Sequence, residues 1–237
     1  MCTLLAYRNP LTGIELAIAA NRDELYRRPR GVFVVLQEHP LVIGGRDPEA
    51  GGTWLALTEA GLVVAVTNAR LGARRGPEQR SRGLLALDLA LTETMDQARD
   101  LLESEDLGRY APVNVLLASS GGLMVASNLP EPRVESTEAE ALGLGNRPAF
   151  EADPRIVLLT EAGRAKPNED PGVYEARLQK LLARHEQPSA CHHLLDGGTV
   201  ASTVILLRQP FAESTILHAD GPPCKSSWSR FVFSTGS

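Results

Sequence analysis

The sequence predicts an α+β fold, and three features of its patterning carry that expectation. Residues 1–68 are almost entirely short apolar runs separated by Gly, Pro, Asn and Asp, the way an antiparallel sheet accumulates from consecutive hairpins. Residues 81–102 and 170–184 instead space their leucines at helical intervals behind residues that cap helices. Strand patterning then returns at 199–207, 214–219 and 230–233. With no internal repeat, linker or low-complexity stretch, residues 1–237 read as one domain.

Taken in order, residues 3–8 and 14–20 flank an Asn9-Pro10-Leu11-Thr12-Gly13 turn and predict the first hairpin. Pairing Arg8 with Ile14 sets Cys2 opposite Ala20, so Asn21-Arg22-Asp23-Glu24 emerges beside the N-terminus. Residues 32–36 and 41–45 are short strands, and 46–52 is a Gly- and Pro-bearing loop. Gly44-Gly45 and Gly51-Gly52 read as turn glycines. The clearest hairpin joins 53–58 to 62–67 through Glu59-Ala60-Gly61, and pairing Thr58 with Leu62 places Gly52 opposite Asn68. After a basic loop, Ser81 caps a helix with Leu84, Leu87 and Leu91 inward. Thr94-Met95-Asp96-Gln97 is a capping box for a second helix with Ala98, Leu101 and Leu102 inward. Strands follow at 113–118 and 123–127, then an acidic exposed connection at 131–140. Asp170-Pro171 opens a helix with Tyr174, Leu178, Leu181 and Leu182 on one face.

Composition narrows the function classes. The chain has 43% hydrophobic residues and a formal charge of −5, with few basic clusters, so nucleic acid and anionic membrane are poor partners. No apolar run approaches the ~20 residues of a membrane span, and Arg8-Asn9-Pro10 interrupts the first apolar run before a signal peptide could form. Three cysteines suit free thiols in a reducing compartment, most simply the cytoplasm.

The first residues carry the chemistry. Removal of Met1 would leave Cys2 with a thiol and a free α-amine on one carbon. The amine titrates near ~8, against ~10.4 for lysine, and so can accept the thiol proton during attack on a carbonyl. Arg22 nearby favours the thiolate, and Asp23 can accept a hydrogen bond from the amine. The same residues also suit a solvated loop with Cys2 as a small apolar side chain.

Met-Cys-Thr at the start, Ala-Asn-Arg-Asp-Glu at 20–24, Gly44-Gly45-Arg46-Asp47, Gly51-Gly52-Thr53-Trp54 and Thr67-Asn68-Ala69-Arg70 together resemble the NRDE family, also called the transport and Golgi organisation protein 2 family. More distantly, Cys2 with Arg22 and Asp23 is similar to the choloylglycine hydrolases and penicillin V acylases, which are N-terminal-nucleophile amidohydrolases. That resemblance implies a four-layer αββα sandwich of two antiparallel sheets. It also implies a hydrolase of non-peptide C–N bonds in small acylated substrates, with Cys2, Arg22, Asp23 and Asn68 catalytic. Asn68 supplies the oxyanion donor in that reading, while Asn21 and Asn146 position substrate or the Cys2 amine. The alternative implied by the family is a carrier of haem or of acyl-CoA and lipid, without turnover.

Arg46 and Asp47 read as an ion pair holding their loop. The family usually carries Arg where Val200 stands, and Arg208 and Arg230 are the replacements the sequence offers. Cys191-His192-His193 has no second cluster at zinc-site spacing and reads as a surface turn, so no metal is assigned. No resident cofactor is expected, haem being a ligand in the alternative reading. Pro223-Cys224 is not the Cys-Pro order associated with regulatory haem binding, and no Walker or Rossmann loop is present.

Overall fold

The computed structural model describes residues 2–92 and 94–231. Strand β1 (Thr3–Leu11) and strand β2 (Ile14–Leu25) form the first hairpin. Its tight turn is Thr12-Gly13, with Gly13 at φ +77°, and Asn9 at φ +44° sits where the register shifts between Arg8 and Leu11. Arg8 therefore faces Leu16 rather than Ile14, and Thr3 faces Asn21. The offset from the expected pairing is two residues, so every side chain keeps its face. Its effect is to draw the N-terminus further along β2, toward Arg22.

Strands β3 (Val32–Gln37), β4 (Val42–Arg46), β5 (Thr53–Thr58) and β6 (Val63–Asn68) follow. The β5–β6 pairing is the expected one, with Leu57 opposite Val63 and Leu55 opposite Ala65. Helices α1 (Arg82–Ala90) and α2 (Met95–Ser104) come next, then β7 (Val113–Ser119) and β8 (Gly122–Ser127). The remainder is β9 (Arg133–Thr137), β10 (Ala141–Leu144), α3 (Pro154–Gly163), α4 (Pro171–Leu182), β11 (Gly197–Leu207), β12 (Thr215–Ala219) and β13 (Ser229–Arg230). The expected last strand ran on to Phe233, whose end lies outside the described residues.

Two antiparallel sheets result, ordered β10-β1-β2-β11-β12-β13 and β3-β4-β5-β6-β7-β8-β9. Three apolar layers hold them. Leu4, Ile18, Leu57, Val63, Leu116 and Ile205 pack between the sheets. Leu85, Leu89 and Leu102 of α1 and α2 cover the second sheet against Val64 and Leu117. Ile156, Leu159, Tyr174 and Leu178 of α3 and α4 cover the first against Leu5 and Ala19. This is the four-layer αββα sandwich, and each fully buried Leu or Ile contributes roughly 1.5–3 kcal/mol to it.

Local chemistry sets the helix ends. Ser81 accepts from the Gly83 N–H, Thr94 and Gln97 complete a capping box, and Asp170 accepts from Gly172 and Val173. The inward face of α1 differs from expectation: Leu85, Ala86, Leu89 and Ala90 are buried, while Leu91 is exposed. Small residues decide this, because α1 lies so close to the start of β5 that a Cβ on Gly52, the residue before that strand, would overlap the Gly83 carbonyl carbon. Gly44 and Gly45 are not turn residues but lie inside β4, where a Cβ on Gly45 would overlap the Trp54 ring. The stretch expected as a plain connection at 131–140 contains the edge strand β9. No helix among the described residues is long and apolar enough to cross a membrane.

Candidate functional site

The site lies where the start of β1 meets the end of β2. Cys2 precedes β1, and Asn21, Arg22 and Asp23 follow on the neighbouring strand, so the hairpin register alone brings them together. Cys2, Thr3, Asn21, Arg22, Trp54 and Thr67 line a small cleft that reaches between the two sheets. The Cys2 Sγ lies 3.7 Å from the Asp23 carbonyl oxygen.

Asn146 is placed by the end of β10, one residue past Gly145. Thr67 donates to the Gly145 carbonyl at 2.8 Å, and Asn114 donates to the Arg147 carbonyl at 2.8 Å, pinning this turn from both sides. Asn146 Oδ1 then accepts from the Cys2 nitrogen, while its Nδ2 donates to the Asn68 carbonyl at 2.9 Å. One side chain thus bridges the residue-2 nitrogen and the end of β6. Asn68 reaches the constellation through its backbone, and its side-chain amide has no hydrogen-bond partner among the described residues.

Asp23 accepts from the Thr199 hydroxyl at 2.7 Å. Burial raises its pKa, opposed by that hydrogen bond and by the charge of Arg155. Burial likewise pushes the Cys2 thiol up, and the Asp23 charge acts in the same direction. Arg22 pulls the other way but is the smaller influence. Its guanidinium is also shared: it stands 4.7 Å over the Trp54 ring centroid, 3.3 Å from Glu24 and 3.9 Å from Asp47.

Asn21 behaves differently from expectation. Its amide donates to the Leu182 and Ala190 carbonyls at 2.9 Å each, and its oxygen accepts from Ser202 at 2.6 Å. With both amide hydrogens committed and 3% of its surface exposed, it ties α4 to the sheet and has no donor to offer a substrate. Arg46 and Asp47 do not pair with each other: Arg46 donates to the Leu36 carbonyl, while Asp47 pairs with Arg28 at 2.7 Å.

Sequence reasoning missed Arg155. From the first turn of α3 it donates to the Cys2 carbonyl at 3.0 Å and to the Thr3 hydroxyl at 2.8 Å. The replacements considered for the family's Arg at Val200 lie elsewhere, Arg208 on the Gly13 carbonyl and Arg230 on Thr215 and Glu175. Val200 itself is buried where the β2–β11 register shifts. The available signal for α3 was Asp153-Pro154, the same cap-and-proline pair that marked Asp170-Pro171.

The family model described as Transport and Golgi organisation 2 matches residues 1–210. The chain belongs to that family. The mouse Transport and Golgi organization 2 homolog is 28% identical over 244 residues, covering 86% of this chain and 88% of the mouse protein. The bovine homolog is 39% identical over 84 residues, 34% of this chain and 30% of its own. Among solved structures, the Caenorhabditis elegans ortholog of N-acylethanolamine-hydrolyzing acid amidase has a TM-score of 0.58 at 16% identity, covering 98% of this chain and all (100%) of its own. Penicillin V acylase from Agrobacterium tumefaciens gives 0.58 at 13% identity, with 97% and 86% covered. A mutant conjugated bile acid hydrolase from Clostridium perfringens gives 0.52 at 10%, with 98% and 97% covered. At these identities the likeness is one of fold: this family member has the N-terminal-nucleophile-hydrolase architecture.

Proposed function

We propose that the protein is an N-terminal cysteine amidohydrolase that cleaves a non-peptide C–N bond of a small acylated substrate. The observation that carries this reading is the Asn146 bridge, which holds the residue-2 nitrogen and the Asn68 backbone beside a residue whose thiol-bearing side chain lines a cleft. Solved proteins of the same fold whose names describe amide-cleaving enzymes support it.

In the mature form Met1 is removed and the Cys2 nitrogen becomes an amine. The Cys2 sulfur attacks the substrate carbonyl carbon while its proton passes to that amine. The Asn68 side-chain amide and a neighbouring backbone N–H stabilise the oxyanion. Collapse of the tetrahedral intermediate breaks the C–N bond, the ammonium returns its proton to the leaving nitrogen, and water hydrolyses the thioester. Arg22 and Asp23 tune and orient the nucleophile. Arg155 positions residues 2 and 3 through the Cys2 carbonyl and the Thr3 hydroxyl. The cytoplasm is the compartment we assign, because its reducing poise keeps a terminal thiol free.

One observation favours a second reading. Burial and the Asp23 charge raise the Cys2 pKa, and a neutral thiol is a poor nucleophile, which favours a carrier of haem or an acyl-CoA in which Cys2 takes no chemical part. The two readings separate in one experiment. Protein from its own cell is analysed by mass spectrometry and incubated with a panel of N-acyl amides. The expected result is a chain beginning at Cys2, consumption of an amide and a transient acyl group on Cys2. A bound ligand's absorption band without product would favour the carrier. Turnover by a chain still carrying Met1 would sink the mechanism, since the residue-2 nitrogen would then be an amide with no basicity.

A further inference from the structure

Away from the cleft, four side chains that share no sequence motif come to one point. His185 follows the end of α4, Cys191 and His193 lie on the irregular segment leading into β11, and Cys224 lies on the loop after β12. One ligand-capable atom from each falls within 4.8 Å of all the others. The closest separations are 3.2 Å from His193 Nε2 to Cys224 Sγ, 3.6 Å between the two sulfurs, and 3.9 Å from Cys191 Sγ to His193 Nε2. The rings of His185 and His193 have centroids 5.2 Å apart. Both cysteines are free.

Those separations have a specific meaning. A tetrahedral zinc ion with Zn–S of about 2.3 Å and Zn–N of about 2.0–2.1 Å holds its ligands about 1.63 bond lengths apart. That is ~3.8 Å between sulfurs and ~3.5 Å between sulfur and nitrogen. The two sulfur–nitrogen separations, 3.2 and 3.9 Å, lie on either side of the second value, and the sulfur–sulfur separation of 3.6 Å falls slightly below the first. Two thiolates and two neutral imidazoles also balance the charge of a divalent ion, and their softness selects zinc over the hard cations that prefer oxygen. A pair of thiols poised only to form a disulfide would need neither histidine.

We propose that His185, Cys191, His193 and Cys224 form a structural zinc site. Four protein ligands leave no open position, so the ion holds the fold and performs no hydrolysis. What it holds is informative. Ala190 and Cys191 donate their N–H groups to the Arg184 carbonyl, and the Ala190 carbonyl accepts from Asn21. The His192 N–H donates to the Thr199 hydroxyl that itself donates to Asp23. The ion therefore clamps the segment that buttresses the back of β2, using the loop after β12 as its anchor. His192 is not a ligand. The sequence reading dismissed the Cys191-His192-His193 run for want of a second cluster; His185 sits one short loop upstream, and Cys224 arrives only through the pairing of β11 with β12.

The test uses the full chain. Metal content is measured on protein produced with zinc supplied, and the metal-free protein is titrated with Co2+. One zinc per chain is expected, and Co2+ should give the intense visible bands of a tetrahedral thiolate site at one equivalent. Replacing Cys224→Ser should abolish those bands. Replacing the exposed His185→Ala, which endangers the fold least, should weaken zinc binding by more than about a hundredfold, the upper end of what losing an outer-shell partner costs. Cys2→Ser should retain full metal content. Removing zinc should speed amide exchange across residues 185–199 and 221–226. Protein that carries no zinc and gives no thiolate–cobalt bands overturns the proposal, as does unchanged binding in both the Cys224 and His185 variants. Isolation of the chain with Cys191 and Cys224 oxidised to a disulfide under reducing-cell conditions overturns it too.

Discussion

Cys2, Arg22 and Asp23 come together from the two arms of one hairpin, with Arg155 of α3 bracing them from outside, whereas around Cys191 and Cys224 the partners come from a helix end, an irregular segment and a distant loop. The first arrangement is fixed once β1 and β2 pair, because Thr3 opposite Asn21 leaves Arg22 and Asp23 nowhere else to be. The second depends on α4, β11 and β12 all reaching their final places. Burial separates the two as well. The Cys2 cleft is walled by Trp54, Leu55 and Ala65 of the opposite sheet, while His185 and His193 stand exposed at the edge of the first sheet's helical layer. A site built from neighbouring strands can be read in a sequence; one assembled across the fold can be read only from coordinates.

The contrast can be broken most directly at the nucleophile. Cys2→Ala should lower amide turnover by at least about a thousandfold, since a nucleophile's removal leaves only binding and oxyanion stabilisation. Metal content in the same protein should stay at its wild-type value. A variant that loses both would mean that the two thiol sites are one system.

A smaller effect is expected at Asn146. Asn146→Ala removes the acceptor for the Cys2 nitrogen and the donor to the Asn68 carbonyl, so the proposed nucleophile loses its alignment. Turnover should fall about a hundredfold through kcat, the usual cost of misplacing a reacting group by an ångström, with the circular dichroism spectrum unchanged. An unchanged kcat would reduce Asn146 to a turn residue.

The finest distinction concerns charge beside Cys2. Asp23 raises the thiol pKa and Arg22 lowers it, with Asp23 the stronger influence. Asp23→Asn should therefore increase the thiolate fraction near neutral pH and speed alkylation of Cys2. Arg22→Gln should slow it, by a smaller factor. Rates followed over a pH series would show the two variants displaced to opposite sides of the wild type; displacement to the same side would refute the electrostatic assignment.

How far the sequence carried each element depended on whether local chemistry was sufficient. The β5–β6 register was legible because Glu59-Ala60-Gly61 allows few turns, and Gly61 adopts φ +83°. The β1–β2 register was displaced by two because the turn forms at Thr12-Gly13 and the strand absorbs the extra residues before Leu11. Helix α4 was legible face and cap alike, since its leucines form one stripe. In and just after α1, leucines at 84, 85, 87, 89 and 91 form two overlapping stripes, and the close approach of Gly52, just before β5, selects between them. Helix α3 was hidden by Ile156-Val157-Leu158-Leu159, an apolar run equally suited to a strand. Of the edge strands, β9 was too polar and β10, at four residues, too short to stand out. At the site, contiguous residues announced themselves, but the use of Asn21 as a tie and of Arg155 as a brace depended on partners more than a hundred positions away.

Thr199 has a consequence beyond its own bonds. It is fully buried, its hydroxyl donates to Asp23 and accepts from His192, and its N–H donates to the His192 carbonyl. A rearrangement of the loop withdraws a donor from the hydroxyl and changes how firmly that hydroxyl can hold the carboxylate. A change in the carboxylate's charge acts back along the same path. Such coupling is reciprocal by thermodynamic necessity: whatever factor zinc imposes on affinity in the cleft, a ligand in the cleft imposes on the affinity for zinc.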